Sequence, residues 1–370
     1  MNSPGYSVNR AVVIGCVICW CVGAIFAFEP LPRAEPEAVG INAVKLDQAV
    51  EAMGRVHGVW SVVVVRKGSV VADAHFIYQP ETLHSVWSVT KSVTSTLVGM
   101  AIDRDAIPGV DVAMVDFLPH SIDPVDPLAD RITLRHLLMM TSGLKWSEEN
   151  DWLPWLRSSN PVRYILNRSV VSSPGLVFNY SSASSHLPSV MLTEILGGDP
   201  AEFAESQLFE SMGISDWGWD RDPQNYPFGG HGIKMRTEDL AKLGILFLRK
   251  GRWQGRQVVS REWVEEAVQP RFFWDVDYGP LTNVDYGYLW WTAEAAGYPV
   301  FIAWGWGGQF AFCVPDLDLV VATSADGWVG TAQANIQEKA ILTVIVEQIL
   351  PIVNPRWGIP MNDPHTVFLD

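Results

Sequence analysis

Apolar and polar positions change period several times along the chain, and each change marks an element. Asn42 to Met53 keeps apolar residues three and four apart and predicts an amphipathic helix, behind a Pro-rich linker from Glu29 to Pro36. Val59 to Val65 and Ser69 to Phe76 are rich in β-branched residues and predict two strands joined as a hairpin at Lys67-Gly68. From His84 an extended stretch runs into a helical pattern with Val89, Val93, Leu97 and Met100 on one apolar face, closed by a turn near Pro108. Residues 103–229 then hold helical pieces broken by Pro, Gly, Asn and Ser, with little strand signal. Within them Ile132 to Leu138 predicts a buried helix ending in Thr141-Ser142-Gly143. Thr237 to Lys250 predicts a helix with a Thr cap and Gly251 at its end, and Ser260 to Val268 predicts another. Tyr286 to Trp291, Val300 to Trp304, Gln309 to Val314 and Leu319 to Thr323 are short apolar runs that predict strands, and Ile336 to Ile352 predicts a closing amphipathic helix. Strands near both ends with helices between them predict an α+β fold in which one sheet is assembled from both ends of the chain. The expected units are a discontinuous sheet-containing domain, 35–102 with 230–353, and a mostly helical domain, 103–229.

Composition narrows the partners. A chain of 370 residues with 48% hydrophobic and 18% charged residues can bury a large core. A formal net charge of −15 argues against nucleic acid and anionic lipid as partners. Seventeen tryptophans are enough both to fill the core and to line an apolar cleft. Ala11 to Phe28 is an uncharged apolar run behind one arginine and no acid, the pattern of a signal peptide or an N-terminal membrane anchor. The expected protein is therefore exported, periplasmic or secreted, and either freed by cleavage or held at the inner membrane through residues 11–28. Cys16, Cys19 and Cys21 lie inside that run, which leaves Cys313 alone in the body and no internal disulfide.

The chemistry concentrates in Ser88-Val89-Thr90-Lys91. A serine and a lysine three apart at a helix start share one face, so hydroxyl and amine can meet. A serine hydroxyl is a poor nucleophile until a base takes its proton, and a lysine is that base only if its pKa is lowered by burial or a nearby cation. The bland alternative is an N-cap serine beside a solvated lysine. A second copy of the spacing, Ser142-Gly143-Leu144-Lys145, lies in turn-forming sequence without an apolar helical stripe, so Ser88 is the better candidate. No Gly-x-Ser-x-Gly elbow, His-Glu-x-x-His helix or Walker loop is present.

Further motifs follow in order. They are Leu134-Arg135-His136-Leu137-Leu138 leading to Thr141-Ser142-Gly143-Leu144, Tyr180-Ser181-Ser182, Thr237-Glu238-Asp239-Leu240-Ala241, Tyr286-Gly287-Tyr288 before Trp290-Trp291, and Gly305-Trp306-Gly307-Gly308-Gln309. Together with Ser88–Lys91 they resemble the serine hydrolases related to class C β-lactamases and penicillin-binding proteins. Within that group they look most like 6-aminohexanoate-dimer hydrolases and related esterases. The resemblance runs from about residue 35 to 350. It implies a β-lactamase/transpeptidase-like fold, an antiparallel sheet flanked by helices plus a mostly helical domain. It also implies a Ser88 nucleophile that forms an acyl-enzyme, with Lys91 or Tyr180 as the base, and no metal or organic cofactor. The oxyanion donors would be the Ser88 N–H and the strand edge at Gly308 or Gln309, with Ser182, Trp306 and His231 around the cleft.

Two departures shape the expected substrate. Gly305-Trp306-Gly307 stands where β-lactamases carry Lys-Thr-Gly, and Ser182 stands where the second motif usually ends in Asn. Without the lysine a β-lactam carboxylate loses its partner, so the expected substrate is a small ester or amide lacking that carboxylate. The alternatives are a D-amino-acid peptidase or weak β-lactamase, and a non-catalytic ligand binder or sensor with this fold. His84 and His136 read as structural. The acidic, Trp-rich loop Trp146 to Trp152 reads as a solvated surface or as a selector of cationic amines. The oligomeric state is not readable from the sequence.

Overall fold

The computed structural model describes residues 31–119 and 124–353. The apolar run 11–28, with Cys16, Cys19 and Cys21 and the expectations of export and anchoring, lies outside the described residues. Among the described residues no helix is long and apolar enough to cross a membrane.

Seven strands make one antiparallel sheet: β1 (Val59–Arg66), β2 (Ser69–His75), β3 (Leu281–Tyr286), β4 (Trp291–Ala295), β5 (Tyr298–Gly305), β6 (Gln309–Val314) and β7 (Leu319–Ala325). Their spatial order is β2-β1-β7-β6-β5-β4-β3. β1 and β7, from opposite ends of the chain, lie side by side, with Val62 opposite Thr323 and Val64 opposite Val321. One sheet built from both chain ends is therefore what forms. The pleat sends Val62 and Val64 to one face and Val63 and Val65 to the other. Both faces are covered, which is why β1 reads as an unbroken apolar run.

One face is covered by α1 (Ala43–Arg55), whose Asn42 cap accepts the Lys45 N–H at 2.9 Å, and by the C-terminal helix. The other face carries α2 (Val89–Ile102) and, later in the chain, α4 (Thr237–Leu248). Between them lie short helices, among them α3 (Glu148–Leu156). Every residue of α2 from Val89 to Ala101 is buried, not one face alone. Its polar positions reach across to other segments: Ser92 Oγ donates to the Leu289 carbonyl at 2.9 Å, Thr94 Oγ1 to the Gly229 carbonyl at 2.9 Å, and Thr90 Oγ1 accepts the Ile233 N–H at 3.1 Å. A small three-stranded sheet pairs His84–Ser85 with Ile233–Met235, which clamps the entry to α2 against residues 230–235.

Three local expectations change. Tyr286 to Trp291 is not a strand: β3 ends at Tyr286, β4 begins at Trp291, and Leu289 between them has φ +60°. Its Tyr288 and Trp290 are buried in the helical side, so the apolar run marks a packed turn. Thr237 does not cap its helix. Its hydroxyl is buried and bonded to Ser61 at 2.6 Å and Ser324 at 2.8 Å, which fastens α4 to β1 and β7. The closing helix starts earlier, as α5 (Thr331–Val344), and continues through a wide turn at 345–349 to Val353.

Candidate active site

Ser88 does not act as a helix cap. The chain turns sharply at Trp87, which has φ +47°, a strained value for a large residue. Ser88 follows with no capping hydrogen bond from its side chain. Its hydroxyl instead accepts from Lys91 Nζ at 2.9 Å, and Ser88 is part-exposed while Lys91 is 1% exposed. The same ammonium nitrogen reaches Ser182 Oγ at 3.1 Å and the Gly230 carbonyl at 2.8 Å, and it lies 4.8 Å from the centre of the Tyr180 ring. Gly230 can make this approach because a Cβ there would fall 2.6 Å from Ser185 Oγ and 2.7 Å from the Ser182 carbonyl. Ser88, Lys91, Tyr180 and Ser182 are thus brought together.

Burial lowers the Lys91 pKa to about 8, against a smaller upward pull from Glu148. Burial pushes the Tyr180 phenol up, Glu148 adds to the rise, and its contact with Ser88 opposes it in part. The Tyr180 ring stacks on Trp291 at 5.8 Å. In this setting the amine sheds its proton near pH 8, while the phenol holds its own.

Glu148 is the residue that sequence reasoning missed. It starts α3 behind the Ser147 cap, but its carboxylate turns inward. It accepts from Trp146 Nε1 at 2.7 Å, from the Ser182 N–H at 2.9 Å and from Ser182 Oγ at 2.5 Å. The 146–152 loop is therefore not simply a solvated surface. The only signal in the sequence was an acid in the first turn of a capped helix, which most helices show for local reasons.

The strand edge requires a correction. Gly308 donates its N–H to the Gly305 carbonyl at 3.2 Å, closing the β5–β6 turn. Gln309 is wholly buried, and its side chain straps Trp306 to β7, donating to the carbonyls of Trp306 at 3.2 Å and Ala325 at 2.7 Å. The Gly307 N–H donates to Glu338 Oε1 at 2.8 Å. Among the described residues, neither the Trp306 N–H at this edge nor the Ser88 N–H has a protein partner. The turn and the start of α2 are in contact: a Cβ on Gly305 would sit 2.3 Å from the Val86 carbonyl. Two free N–H groups beside a serine hydroxyl are the kind of donors that can hold the charge on an acyl oxygen.

Glu338 sets the position of that turn. Besides Gly307 it accepts the Tyr278 hydroxyl at 2.9 Å. Glu338→Ala is expected to lower kcat on an activated ester about tenfold, with KM little changed, because Trp306 loses its fixed place. A steady-state comparison checks this, and an unaltered kcat overturns it.

The remaining candidates are placed as follows. His231 stacks on Phe228 at 4.3 Å and lies edge-on to Trp155 at 5.7 Å and Trp152 at 6.1 Å. Burial pushes its pKa down to about 3, so it borders the Lys91 pocket as a neutral ring. His84 packs between Trp60 and Tyr78, and His136 Nδ1 accepts the Thr133 N–H at 3.1 Å in a helix cap, both structural as expected. Ser142 is buried and bonded to Ser184 Oγ at 3.1 Å, while Lys145 is exposed, so the second Ser-x-x-Lys is no pair. Trp87, Trp152 and Trp328 meet at ring separations of 6.3 and 5.1 Å beside Ser88, an apolar rim whose Trp328 is 79% exposed.

The Beta-lactamase family model matches residues 46–344. Among solved structures, a Bacillus anthracis protein assigned as a 6-aminohexanoate-dimer hydrolase superposes with a TM-score of 0.68 at 16% identity, covering 88% of this chain and 87% of that one. EstCE1, described as a hydrolase with promiscuous acyltransferase activity, superposes at 0.63 and 18% identity over 81% and 99% of the two chains. A D-stereospecific amidohydrolase from Streptomyces gives 0.60 and 16% over 80% and 98%. At such identities the likeness to these structures speaks for the fold, which is β-lactamase/transpeptidase-like.

Proposed function

The chain belongs to the beta-lactamase family, and on that premise we propose that it hydrolyses neutral esters or linear amides through an acyl-enzyme on Ser88. This reading is carried by one observation: an open serine hydroxyl 2.9 Å from a buried lysine amine whose pKa has fallen to about 8. Lys91 takes the Ser88 proton as Oγ bonds to the acyl carbon. The charge on the acyl oxygen is held by the Ser88 and Trp306 N–H groups. Collapse of the intermediate breaks the bond to the alkoxide or amine, and the Tyr180 hydroxyl hands it a proton that Lys91 replaces. Water then attacks the acyl-enzyme by the same route, giving the free acid and restoring Ser88. The amidohydrolase and the acyltransferase-active hydrolase among the similar folds fit carboxylesterase or 6-aminohexanoate-dimer-hydrolase-like chemistry. The three tryptophans at the rim and the absence of a cation at Gly305-Trp306-Gly307 favour an uncharged acyl group.

The test is hydrolysis of p-nitrophenyl acetate and butyrate, with labelling by a serine-reactive phosphonate. One adduct per chain is expected. Because the Lys91 amine is active when neutral, kcat/KM should rise with pH through about 8 and then level off. Nitrocefin, whose carboxylate finds no lysine at Gly305-Trp306-Gly307, should be turned over at least about 100-fold less efficiently. Neither turnover nor adduct would support the non-catalytic binder instead, and nitrocefin turned over as well as the esters would support the β-lactamase or D-amino-acid peptidase reading.

A further inference from the structure

The hydrogen-bond inventory around Lys91 has a direction, and Glu148 sets it. The Gly230 carbonyl can only accept. Ser182 Oγ could donate or accept, but its hydrogen is committed to Glu148 Oε1 at 2.5 Å, so toward Lys91 it presents lone pairs. A neutral lysine amine has two hydrogens and one lone pair. With acceptors at 3.1 Å on Ser182 and 2.8 Å on Gly230, both hydrogens have fixed places. The lone pair is left facing the third neighbour, the Ser88 hydroxyl at 2.9 Å.

We propose that Glu148 is a positioning residue that sets the polarity of the Ser182–Lys91–Ser88 chain, aiming the Lys91 lone pair at the Ser88 proton. The proposal rests on the Ser88 acyl-enzyme reading and adds to it a group that touches neither substrate nor Ser88. Glu148 is held for the task. Its Oε2 takes two groups that can only donate, Trp146 Nε1–H at 2.7 Å and the Ser182 N–H at 2.9 Å, which leaves Oε1 for the Ser182 hydroxyl.

This arrangement makes the isosteric change informative. In Glu148→Gln the amide oxygen must stay at the Oε2 place to serve the two donors. The amide nitrogen then occupies the Oε1 place and donates to Ser182 Oγ. The Ser182 hydrogen is turned toward Lys91, where it competes for the lone pair Ser88 needs. Two effects then act in the same direction on the amine. A hydrogen bond to the neutral form and the loss of the carboxylate's charge both favour deprotonation. The base is therefore free of its proton at lower pH yet is slower.

The experiment measures kcat/KM against pH with p-nitrophenyl acetate for the wild type, Glu148→Gln, Ser182→Ala, the double variant and Ser88→Ala. Glu148→Gln is expected to lower the plateau about 100-fold and to move the rising limb to lower pH. Ser182→Ala keeps the carboxylate, so its plateau falls only about tenfold. The double variant has no hydroxyl to misdirect and should be about as fast as Ser182→Ala, hence faster than Glu148→Gln. A structural role alone would make the double variant the slowest, since loss of the Glu148 charge moves the limb in either case. A Glu148→Gln plateau within roughly threefold of wild type, an unmoved limb, or a double variant no faster than Glu148→Gln overturns the proposal. If Glu148→Gln does not fold, the double variant against Ser182→Ala decides: a further drop of tenfold or so means Glu148 does not act through Ser182. Ser88→Ala keeps the two failures apart, since activity there removes the acyl-enzyme reading, whereas a dead Ser88→Ala beside an unaffected Glu148→Gln removes only the role of Glu148.

Discussion

Ser88→Ala is expected to lower p-nitrophenyl ester turnover by at least about four orders of magnitude. The hydroxyl is the one part-exposed oxygen that Lys91 reaches, and alanine leaves the turn at Trp87 and the fold of α2 unchanged. The proposed anion site at the Ser88 and Trp306 N–H groups survives the substitution, so a small residual rate from bound substrate and water is consistent with the mechanism. Ser142→Ala is the matched control. Its hydroxyl is buried against Ser184, and its removal should cost stability of about 1 kcal/mol while leaving turnover near wild type. Activity that persists in Ser88→Ala, or phosphonate that labels it as well as the parent, would remove the nucleophile and with it the whole mechanism.

Ser88 and Lys91 were legible because their signal is local: a three-residue spacing at the start of an apolar helix. The sheet was legible for a similar reason, since β-branched runs such as Val62 to Val65 need no partner to be recognised. What the sequence hid depends on contacts between distant segments. Glu148 looks like any acid at a helix start, and its partner Ser182 lies on another segment. The Trp306 N–H is the candidate second donor only because the turn occupies Gly308 and Glu338 occupies Gly307. Periodicity gave no hint of this, because Gly305 to Gln309 reads as a glycine-rich turn under any hydrogen-bond pattern. Tyr286 to Trp291 misled for a related reason: an apolar run reports burial, and a buried turn is as apolar as a buried strand.

Lys91→Met is expected to abolish turnover and to make the protein more stable at neutral pH. Lys91 is 1% exposed, and burial has brought its pKa from 10.5 to about 8. A cationic group with a folded pKa below its unfolded one destabilises the fold at every pH below the folded value. That penalty is relieved as pH rises from about 8 toward 10.5, because the unfolded chain then binds more protons than the folded one. The size is roughly 3 kcal/mol, at about 1.4 per pKa unit. Methionine fills similar space without charge, though it leaves the Gly230 carbonyl without its donor at a cost of about 1–2 kcal/mol. The net gain at pH 7 should be about 1–2 kcal/mol, and it should shrink or reverse by pH 10. Denaturant unfolding of both proteins at the two pH values measures it. A variant less stable at pH 7, with a gap that ignores pH, would mean that the ammonium is at ease among Ser88, Ser182, Gly230 and the Tyr180 ring. Lys91 would then stay charged through the working range, and the proton of Ser88 would have to pass to Tyr180. The stability experiment therefore tests the choice of base without relying on any substrate.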